Sequence, residues 1–251
     1  MHIKVVASGS GGNSTIIKEN NLTLLIDAGA SSKQLSKYLV NTTIDYLFIT
    51  HEHSDHIKFL SSILKNFNVL NVCLTNGTFY HVSNILLNYT GNIIYITPDV
   101  YFIIENSINI FPLSTSHDAE EPIGLVFLIN NLKLTYITDT GYVDKQYYKL
   151  ISGSDLYILE SNHDLNLLND CARPKTLKDR IKGEFGHLSN KDAVGILNKV
   201  VTKDCVFIAA HISNECNTFL HIQKTFDELY KAPFKIKVYY APQDGLEDIY
   251  L

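Results

Sequence analysis

The sequence predicts an α/β fold in which one domain contains two packed sheets. Apolar segments of strand length recur along the chain, and in each half several strands are followed by strand–loop–helix units. No linker rich in Pro, Gly or Ser separates the halves, and 251 residues are enough for one large domain with a sizeable core. We therefore expect residues 1–251 to form a single domain, with ligands held where the carboxyl ends of strands meet.

The composition is that of an ordinary globular protein, with 45% hydrophobic and 19% charged residues. The formal net charge of −5 does not indicate a nucleic-acid partner, which would therefore need a local basic patch. No apolar run approaches the roughly 18 residues of a membrane span, and no secretory signal is visible. The four cysteines are scattered without a C-x-x-C pair, so we expect reduced thiols in a cytoplasmic protein that has no membrane partner.

In the first half, short apolar segments predict strands, and apolar residues at helical spacing predict helices. The predicted strands are 2–7, 15–18, 22–26, 44–50, 69–75 and 93–96, and the predicted helices are 33–39, 57–67 and 78–90. The glycine-rich loop from Ser8 to Ser14 lacks the Gly-Lys-Ser/Thr ending of a phosphate-binding loop, and a strand follows it where such a loop needs a helix. We interpret this loop as a tight hairpin near a site.

The same pattern continues in the second half. The predicted strands are 100–105, 107–113, 123–130, 132–138, 155–160, 205–210 and 235–241, and the predicted helices are 189–200 and about 218–231. Asn130-Asn131 predicts the turn of a hairpin between two of these strands. Polar side chains that can bind a metal follow several of the strand ends.

Three histidines and two carboxylates follow a buried strand in the segment His51-Glu52-His53-Ser54-Asp55-His56. Imidazole and carboxylate are ligands that zinc prefers. In extended backbone His51 and His53 point to the same side and can share a metal, whereas Glu52 points away. A helix predicted to begin near His56 turns Asp55 and His56 toward a second metal.

Two divalent metal ions need more ligands, and later strand ends supply them. For the first metal we predict His51, His53 and His117. For the second metal we predict Asp55, His56 and His211, with Asp139 bridging both ions. Each metal keeps an open position, as a catalytic site requires, so that the two ions can share the hydroxide that attacks a substrate.

Asp27 lies at the end of the predicted strand 22–26, which we expect to neighbour the histidine cluster in the fold. Two roles are open for this residue. Its carboxylate could orient a ligand imidazole, as groups behind metal ligands commonly do, or it could start a turn.

The motif from Thr50 to His56, T-H-x-H-x-D-H, and the preceding segment from Leu25 to Gly29 resemble the metallo-β-lactamase fold superfamily. The resemblance covers essentially the whole chain, because His117, Asp139 and His211 fall where the later metal motifs of the superfamily would. It implies a four-layer αββα sandwich with the site at one edge of the sheets. It also implies two metal ions, for which zinc, manganese and iron all occur in the superfamily.

Further motifs resemble the YycJ/WalJ-type bacterial metallohydrolases, a group that is associated with exonuclease action on DNA and is related to ribonuclease Z. These motifs are Ser8–Asn13, His117–Ala119, Thr138–Tyr142, Glu160–Asp164, Gly186–Asn190 and Ala210–Ser213. Ile212 replaces a common Leu and Ser161 a common Ala, and neither change touches a predicted ligand. His163 and Asp164 belong to one of these motifs, but the sequence does not reveal their roles.

A hydroxide that bridges two metals can hydrolyse phosphodiesters, thioesters and lactams alike, so the metals do not choose the substrate. His187 favours a phosphodiester, because its Gly-His-x-Ser context resembles a ribonuclease Z pattern in which the histidine lies beside the scissile phosphate. We predict that His187 donates a proton to the leaving oxygen or stabilises charge there, that Glu160 orients His187, and that Asp55 is catalytic as well as a ligand. The alternative is a helix N-cap with an incidental histidine.

A basic stretch over residues 173–182 precedes His187 and is the most basic part of the chain. Lys178 and Lys182 are four residues apart and therefore share a helical face. We predict that Lys178, Arg180 and Lys182 bind the backbone of a DNA substrate. The alternative is a solvated helix face.

Together these features predict a two-metal phosphodiesterase that acts on DNA as an exonuclease. One alternative is a small-molecule hydrolase, either a cyclic phosphodiesterase or a thioesterase similar to glyoxalase II, which would not need the basic stretch. An RNA-processing nuclease is a further alternative. A di-iron redox protein belongs to a different class, and we disfavour it because no flavin-binding domain follows.

Overall fold

The computed structural model describes residues 1–104 and 108–251, and these residues form two compact units. The first unit consists of Met1–Val100, Ala119–Ile123 and Pro242–Leu251, and the second consists of Tyr101–Asp118 and Gly124–Ala241. The expectation of a single domain stays a prediction. Residues 105 and 107, at which two predicted strands end and begin, lie outside the described residues.

The first unit is organised around one mixed sheet. Its strands are β1 (His2–Ala7), β2 (Ser14–Glu19), β3 (Leu22–Ile26), β4 (Ile44–Phe48), β5 (Val69–Leu74), β6 (Asn92–Tyr95) and β14 (Ile249–Tyr250). Its helices are α1 (Ser32–Leu35), α2 (Ser54–Ile57), α3 (Leu60–Asn66) and α4 (Asn76–Leu86). The described strands lie in the order β14-β1-β2-β3-β4-β5-β6.

The second unit is built in the same way around its own sheet. Its strands are β7 (Phe102–Ile104), β8 (Ile108–Ser114), β9 (Ile123–Ile129), β10 (Leu132–Ile137), β11 (Leu156–Glu160), β12 (Cys205–Ala210) and β13 (Ile236–Tyr240). Its helices are α5 (Tyr148–Ile151), α6 (Leu165–Asp170), α7 (Lys175–Lys182), α8 (Asn190–Val200) and α9 (Phe219–Leu229). The described strands lie in the order β13-β12-β11-β10-β9-β8-β7, which completes a mixed α/β structure and confirms the predicted class.

In each unit, parallel strands bring several chain segments to one edge of that unit's sheet. In the first unit β3, β4 and β5 pair in parallel, so Asp27 after β3 and His51 after β4 leave the sheet at the same edge. In the second unit β10, β11 and β12 pair in parallel and deliver Asp139, Glu160 and His211 in the same way. The carboxyl ends of parallel strands are where ligands bind in sheets of this kind.

Burial explains why the strands read as continuous apolar runs. Every residue of β11 is buried, and β9 is buried at all but one position. A strand that is covered on both faces cannot show the alternation of a half-exposed strand. Among the described residues, no helix is long and apolar enough to cross a membrane.

The helix predicted over 57–67 differs from the observed structure. Two helices, α2 and α3, replace it, and α2 begins at Ser54 where the sequence predicted a start near His56. The extended backbone of His53, with φ −61° and ψ 146°, places this residue just before the first turn. The helix breaks at Phe59, whose N–H donates to the carbonyl of Ala28 at 2.9 Å, so a tertiary contact takes the donor.

Helix α6 has no counterpart among the predicted helices. The Asp164 side chain caps it by accepting hydrogen bonds from the N–H groups of Asn166 and Leu167 at 2.9 and 3.0 Å. His163 is buried, and its backbone pairs with Ser189 directly in front of α8. Both residues therefore have structural contacts that the sequence did not indicate.

Candidate metal centre

Asp27 organises the polar edge of the first unit. Its Oδ1 accepts a hydrogen bond from the Thr50 N–H at 2.8 Å, and its Oδ2 lies 2.8 Å from Nδ1 of His56. Burial raises the pKa of Asp27, although the nearby His56 and Thr50 act to lower it. Of the two roles left open for Asp27, the structure shows the one in which its carboxylate orients an imidazole.

The histidines of the T-H-x-H-x-D-H motif lie side by side. The ring centroid of His51 lies 4.0 Å from that of His56 and 4.7 Å from that of His53. Asp55 joins this group, because its Oδ2 is 3.5 Å from Nε2 of His56. Three imidazoles and a carboxylate held this closely, with His51 and His56 buried, form a donor set suited to a divalent metal.

Asn13 belongs to this cluster, although the sequence did not mark it as a site residue. Its Nδ2 lies 3.1 Å from Oδ2 of Asp55 and 3.0 Å from Nε2 of His56. Its Oδ1 accepts the Gly9 N–H at 2.8 Å, which fixes the orientation of the amide. The glycine-rich loop is thus a hairpin next to a site, as predicted. Gly29 packs against both Asn13 and Asp55. A Cβ at this position would lie 1.9 Å from the carbonyl oxygen of Asp55, so only glycine fits there.

In the second unit, Asp139 lies among three histidines. Its Oδ1 is 3.4 Å from Nδ1 of His211, 3.6 Å from Nδ1 of His187 and 3.8 Å from Nε2 of His117. Asp139, His117 and His211 are buried. Ligand atoms from Asp139, Glu160, His187 and His211 lie within 4.8 Å of one another, which is close enough to surround one ion.

Three polar residues of the two clusters lie within two residues of a strand end and adopt left-handed backbone conformations. Their φ angles are 61° at Asp27, 54° at Asp139 and 52° at His211. Such angles are uncommon for residues other than glycine and are frequent at functional sites, where the surrounding structure holds a side chain in a required direction. The backbone itself therefore aims these side chains at the edge of each sheet.

Glu160 holds two histidines with one carboxylate. Its Oε1 lies 2.8 Å from Nδ1 of His187 and 2.7 Å from Nδ1 of His211, and its Oε2 accepts the N–H groups of Thr140 and Leu188. Burial acts to raise the pKa of Glu160, but the two histidines outweigh burial and lower it to about 2. Burial likewise acts to lower the pKa of His187, and the Glu160 carboxylate overcomes this effect, so the net shift is upward.

The partners of the histidine ring nitrogens indicate whether these side chains can bind a metal. Nδ1 of His56 contacts Asp27, Nδ1 of His211 contacts Glu160, and Nδ1 of His117 lies 3.2 Å from the carbonyl oxygen of Gly186. A histidine that binds metal usually does so with one ring nitrogen while the other is held by a carboxylate or carbonyl. In all three residues Nδ1 has such a partner, so the donor set fits. A metal bound to Nε2 of His56 would displace the Asn13 amide, which lies 3.0 Å from that nitrogen.

The structure thus collects the predicted ligands into two groups. The first unit brings together His51, His53, Asp55 and His56, and the second brings together His117, Asp139 and His211 with Glu160 and His187. The division of these ligands between two ions stays a prediction. So do the catalytic roles of Asp55, His187 and Glu160.

The predicted DNA-binding side chains lie on α7 and are engaged within the protein. The Lys178 Nζ donates to the carbonyl oxygen of Asn169 at 2.6 Å, and the Lys182 Nζ donates to the Oδ1 of Asn169 at 3.0 Å. Nε of Arg180 donates to Oδ2 of Asp118 at 2.7 Å, next to His117 in the chain. These contacts are exposed, so DNA phosphates can compete for them, and the binding role stays a prediction.

Replacing Asp27 by Asn should lower the affinity of the first-unit cluster for a divalent metal by about 10- to 100-fold. The substitution removes the charge that holds Nδ1 of His56, and Asn tolerates the left-handed backbone at this position. Competition with a fluorescent chelator measures the change. The matched control is Asp45→Asn, because the Asp45 carboxylate also accepts a backbone N–H, that of Thr23. Equal metal affinity in the two variants would contradict the role of Asp27.

Comparisons with known proteins identify the family of this chain. The family model described as "Beta-lactamase superfamily domain" matches residues 23–212. The chain is 34% identical over 230 residues to exodeoxyribonuclease YycJ of Bacillus anthracis, covering 86% of this chain and 84% of that protein. It is 29% identical over 223 residues to exodeoxyribonuclease WalJ of Streptococcus pneumoniae, covering 85% of this chain and 82% of that protein.

Solved structures show the same fold at low sequence identity. The metallo-β-lactamase fold protein YhfI of Bacillus subtilis aligns with a TM-score of 0.78 at 15% identity, over 99% of this chain and 98% of that one. The short form of human tRNase Z aligns with a TM-score of 0.69 at 15% identity, over 100% of this chain and 99% of that one. The chain therefore has the metallo-β-lactamase fold and belongs to the beta-lactamase superfamily domain family.

Proposed function

We propose that this protein is a metal-dependent phosphodiesterase that degrades DNA as an exonuclease. The observation that carries the proposal is the hydrogen bond between Glu160 and His187, because it holds a proton-donating histidine beside Asp139 and His211. The 34% identity to a protein named exodeoxyribonuclease supports DNA as the substrate class.

The proposed cofactor is a pair of divalent metal ions. His51, His53 and His117 would hold one ion, Asp55, His56 and His211 the other, and Asp139 would bridge them. Imidazole and carboxylate donors suit zinc best, and they also accept manganese or iron. When bound, divalent ions polarise a phosphodiester and lower the pKa of water, which is the chemistry that hydrolysis needs.

His187 is the proposed general acid. Its Nδ1 is bound to Glu160, so Nε2 is the nitrogen that can reach a substrate, and one fifth of the side chain is exposed. The Glu160 carboxylate favours the imidazolium form, which donates its Nε2 proton to the oxygen that leaves from phosphorus. Glu160 is therefore a positioning residue that acts through His187.

Asp55 is the second proposed catalytic residue. The amide of Asn13 donates to Oδ2 of Asp55 at 3.1 Å and so fixes the direction of the carboxylate. A carboxylate in this position can accept the proton that the attacking water loses. The attacking and the leaving oxygens would then be served by different side chains, Asp55 and His187.

An aromatic cleft in the second unit supports a nucleic-acid substrate. Tyr142 and Phe185 line a cleft of about 250 Å³ and are 43% and 58% exposed. Tyr142 follows Asp139 by three residues, and Phe185 precedes His187 by two. The cleft is smaller than the roughly 300 to 1,000 Å³ of pockets that enclose a drug-sized ligand, so it suits a single planar base. Exposed aromatic rings are the usual platforms for unpaired bases.

Replacing Phe185 by Ala should raise KM for single-stranded DNA by about 5- to 150-fold, because base stacking contributes about 1 to 3 kcal/mol per base. Replacing Tyr142 by Ala should act in the same direction. Steady-state kinetics on labelled oligonucleotides measure KM and kcat separately. The control is Tyr80→Ala on α4, which removes a ring that is 78% exposed. A KM that changes no more in Phe185→Ala than in the control would exclude stacking at this cleft.

A small-molecule phosphodiesterase is the second candidate function. The observation in its favour is that Lys178, Lys182 and Arg180 already have partners within the protein, so a long nucleic acid would have to displace them. A small phosphodiester needs only the metal ligands and His187. Comparing substrates of different length therefore separates the two candidates.

The experiment incubates metal-loaded protein with end-labelled single- and double-stranded DNA, with a cyclic dinucleotide and with a thioester. We expect stepwise shortening of DNA from one end, which chelation of the metal abolishes. Turnover of the cyclic dinucleotide or of the thioester without any cleavage of DNA would overturn the proposal.

A further inference from the structure

Two cysteines that are far apart in the sequence meet in the second unit. The sulfur atoms of Cys171 and Cys216 lie 3.3 Å apart although the residues are separated by 45 positions. Cys171 is the residue that follows α6, and Cys216 lies in the loop between β12 and α9. The proposed nuclease chemistry uses neither residue. The sequence did not reveal this pair, because it contains no C-x-x-C spacing.

The two sulfurs are within reach of a covalent bond. A disulfide has a sulfur–sulfur distance of about 2.05 Å, so the atoms must approach by roughly 1.2 Å. Their neighbours are the apolar side chains Leu168, Leu177 and Ile181, which pack around the pair. An apolar surrounding of this kind accepts a neutral disulfide without leaving a buried charge.

The two thiols differ in a way that suits stepwise oxidation. Cys171 is partly exposed, whereas Cys216 is fully buried and its thiol lies within hydrogen-bonding distance of the Cys171 sulfur. Burial acts to raise the pKa of Cys171, but the Arg173 N–H, the Cys216 thiol and the positive charge of Lys178 outweigh it, so the pKa is lowered. Burial and Cys171 raise the pKa of Cys216. The accessible thiol is thus also the more acidic one.

We propose that Cys171 and Cys216 are a reversible oxidation site. A peroxide oxidises the two thiols, and they form an intramolecular disulfide. The Cys171 thiolate attacks one oxygen of hydrogen peroxide, the O–O bond breaks, and a sulfenic acid and hydroxide form. The Cys216 sulfur then attacks the Cys171 sulfur, and the S–O bond breaks as the thiol proton passes to the departing hydroxide. The proton that Cys171 released on ionisation neutralises the first hydroxide, so one peroxide accepts two electrons from the two sulfurs and two waters result.

The cross-link would join two segments that flank the candidate site. Cys171 precedes the basic helix α7, and Cys216 follows the predicted ligand His211 by five residues. Closing a loop of 45 residues restricts the unfolded chain. The oxidised protein should therefore have a higher Tm than the reduced protein.

The test treats the reduced full-length protein with a small excess of hydrogen peroxide. We expect the titratable thiols to fall from four to two, the intact mass to fall by two hydrogen atoms, and peptide mapping to identify a Cys171–Cys216 peptide. A dithiol reductant should restore the thiols and the original Tm. Four remaining thiols, or a disulfide that contains Cys73 or Cys205, would overturn the proposal.

Matched variants separate the pair from general oxidation. Cys205→Ser should still form the disulfide, whereas Cys171→Ser and Cys216→Ser should not. Cys171 is the more exposed partner, so Cys171→Ser is the variant to use if Cys216→Ser fails to fold. Equal oxidation of Cys171 to a sulfinic acid in wild type and in Cys216→Ser would show that the two sulfurs do not react with each other.

Discussion

Replacing His187 by Ala is expected to slow DNA hydrolysis by about 10²- to 10⁴-fold, the usual contribution of a general acid or base. The substitution removes the imidazole that Glu160 holds at 2.8 Å, and the leaving oxygen then has to depart without a proton from the protein. The metal content should not change, because our ligand assignment does not include His187. The loss should therefore appear mainly in kcat.

His187 could also be a metal ligand, because it lies close enough to Asp139, Glu160 and His211 to join them around one ion. Elemental analysis of the purified variant decides between the two roles. Retention of both metals with little activity supports a proton donor, whereas loss of one metal would make His187 a ligand. His81→Ala is the control, because His81 is an exposed residue of α4 and belongs to neither of the two ligand groups described above.

Replacing Asp139 by Asn is expected to remove both metals and to reduce activity by at least about 100-fold, since loss of even an outer partner of a metal ligand costs 10- to 100-fold. The Asp139 carboxylate has one oxygen within 3.8 Å of ring nitrogens of three histidines, and our assignment makes it the ligand that both ions share. Asn has nearly the same shape and tolerates the φ of 54° at this position, so the change tests charge more than backbone strain.

Metal stoichiometry and Tm should be measured together for this variant. A folded protein that binds less than one metal supports a bridging carboxylate. Asp227→Asn is the control, because the Asp227 carboxylate lies on the exposed surface of α9 and accepts a hydrogen bond from Gln223. Retention of one full metal equivalent in Asp139→Asn would assign Asp139 to a single ion.

The strands were the part of the fold most accessible from sequence. The bounds of β3 and β1 were predicted without error because both are mostly buried apolar segments. Those of α8 were predicted to within one residue because its buried apolar residues recur at helical spacing. The helix over 57–67 was wrong for a tertiary reason, the hydrogen bond from Phe59 to Ala28 in a neighbouring segment. Helix α6 was missed because its six residues are too few to show a helical period, and its Asp164 cap was not recognised.

The sequence by itself determined the kinds of metal ligands and the strand ends that carry them, since residue type and local periodicity are properties of neighbouring residues. Only the tertiary structure decided that Asn13 contacts Asp55 across 42 positions. It likewise decided that Glu160 holds His187 and His211, which are 27 and 51 residues away. It also brought Cys171 to Cys216. These contacts depend on which strands pair in each sheet and on which loops then share an edge, and no local pattern encodes that pairing.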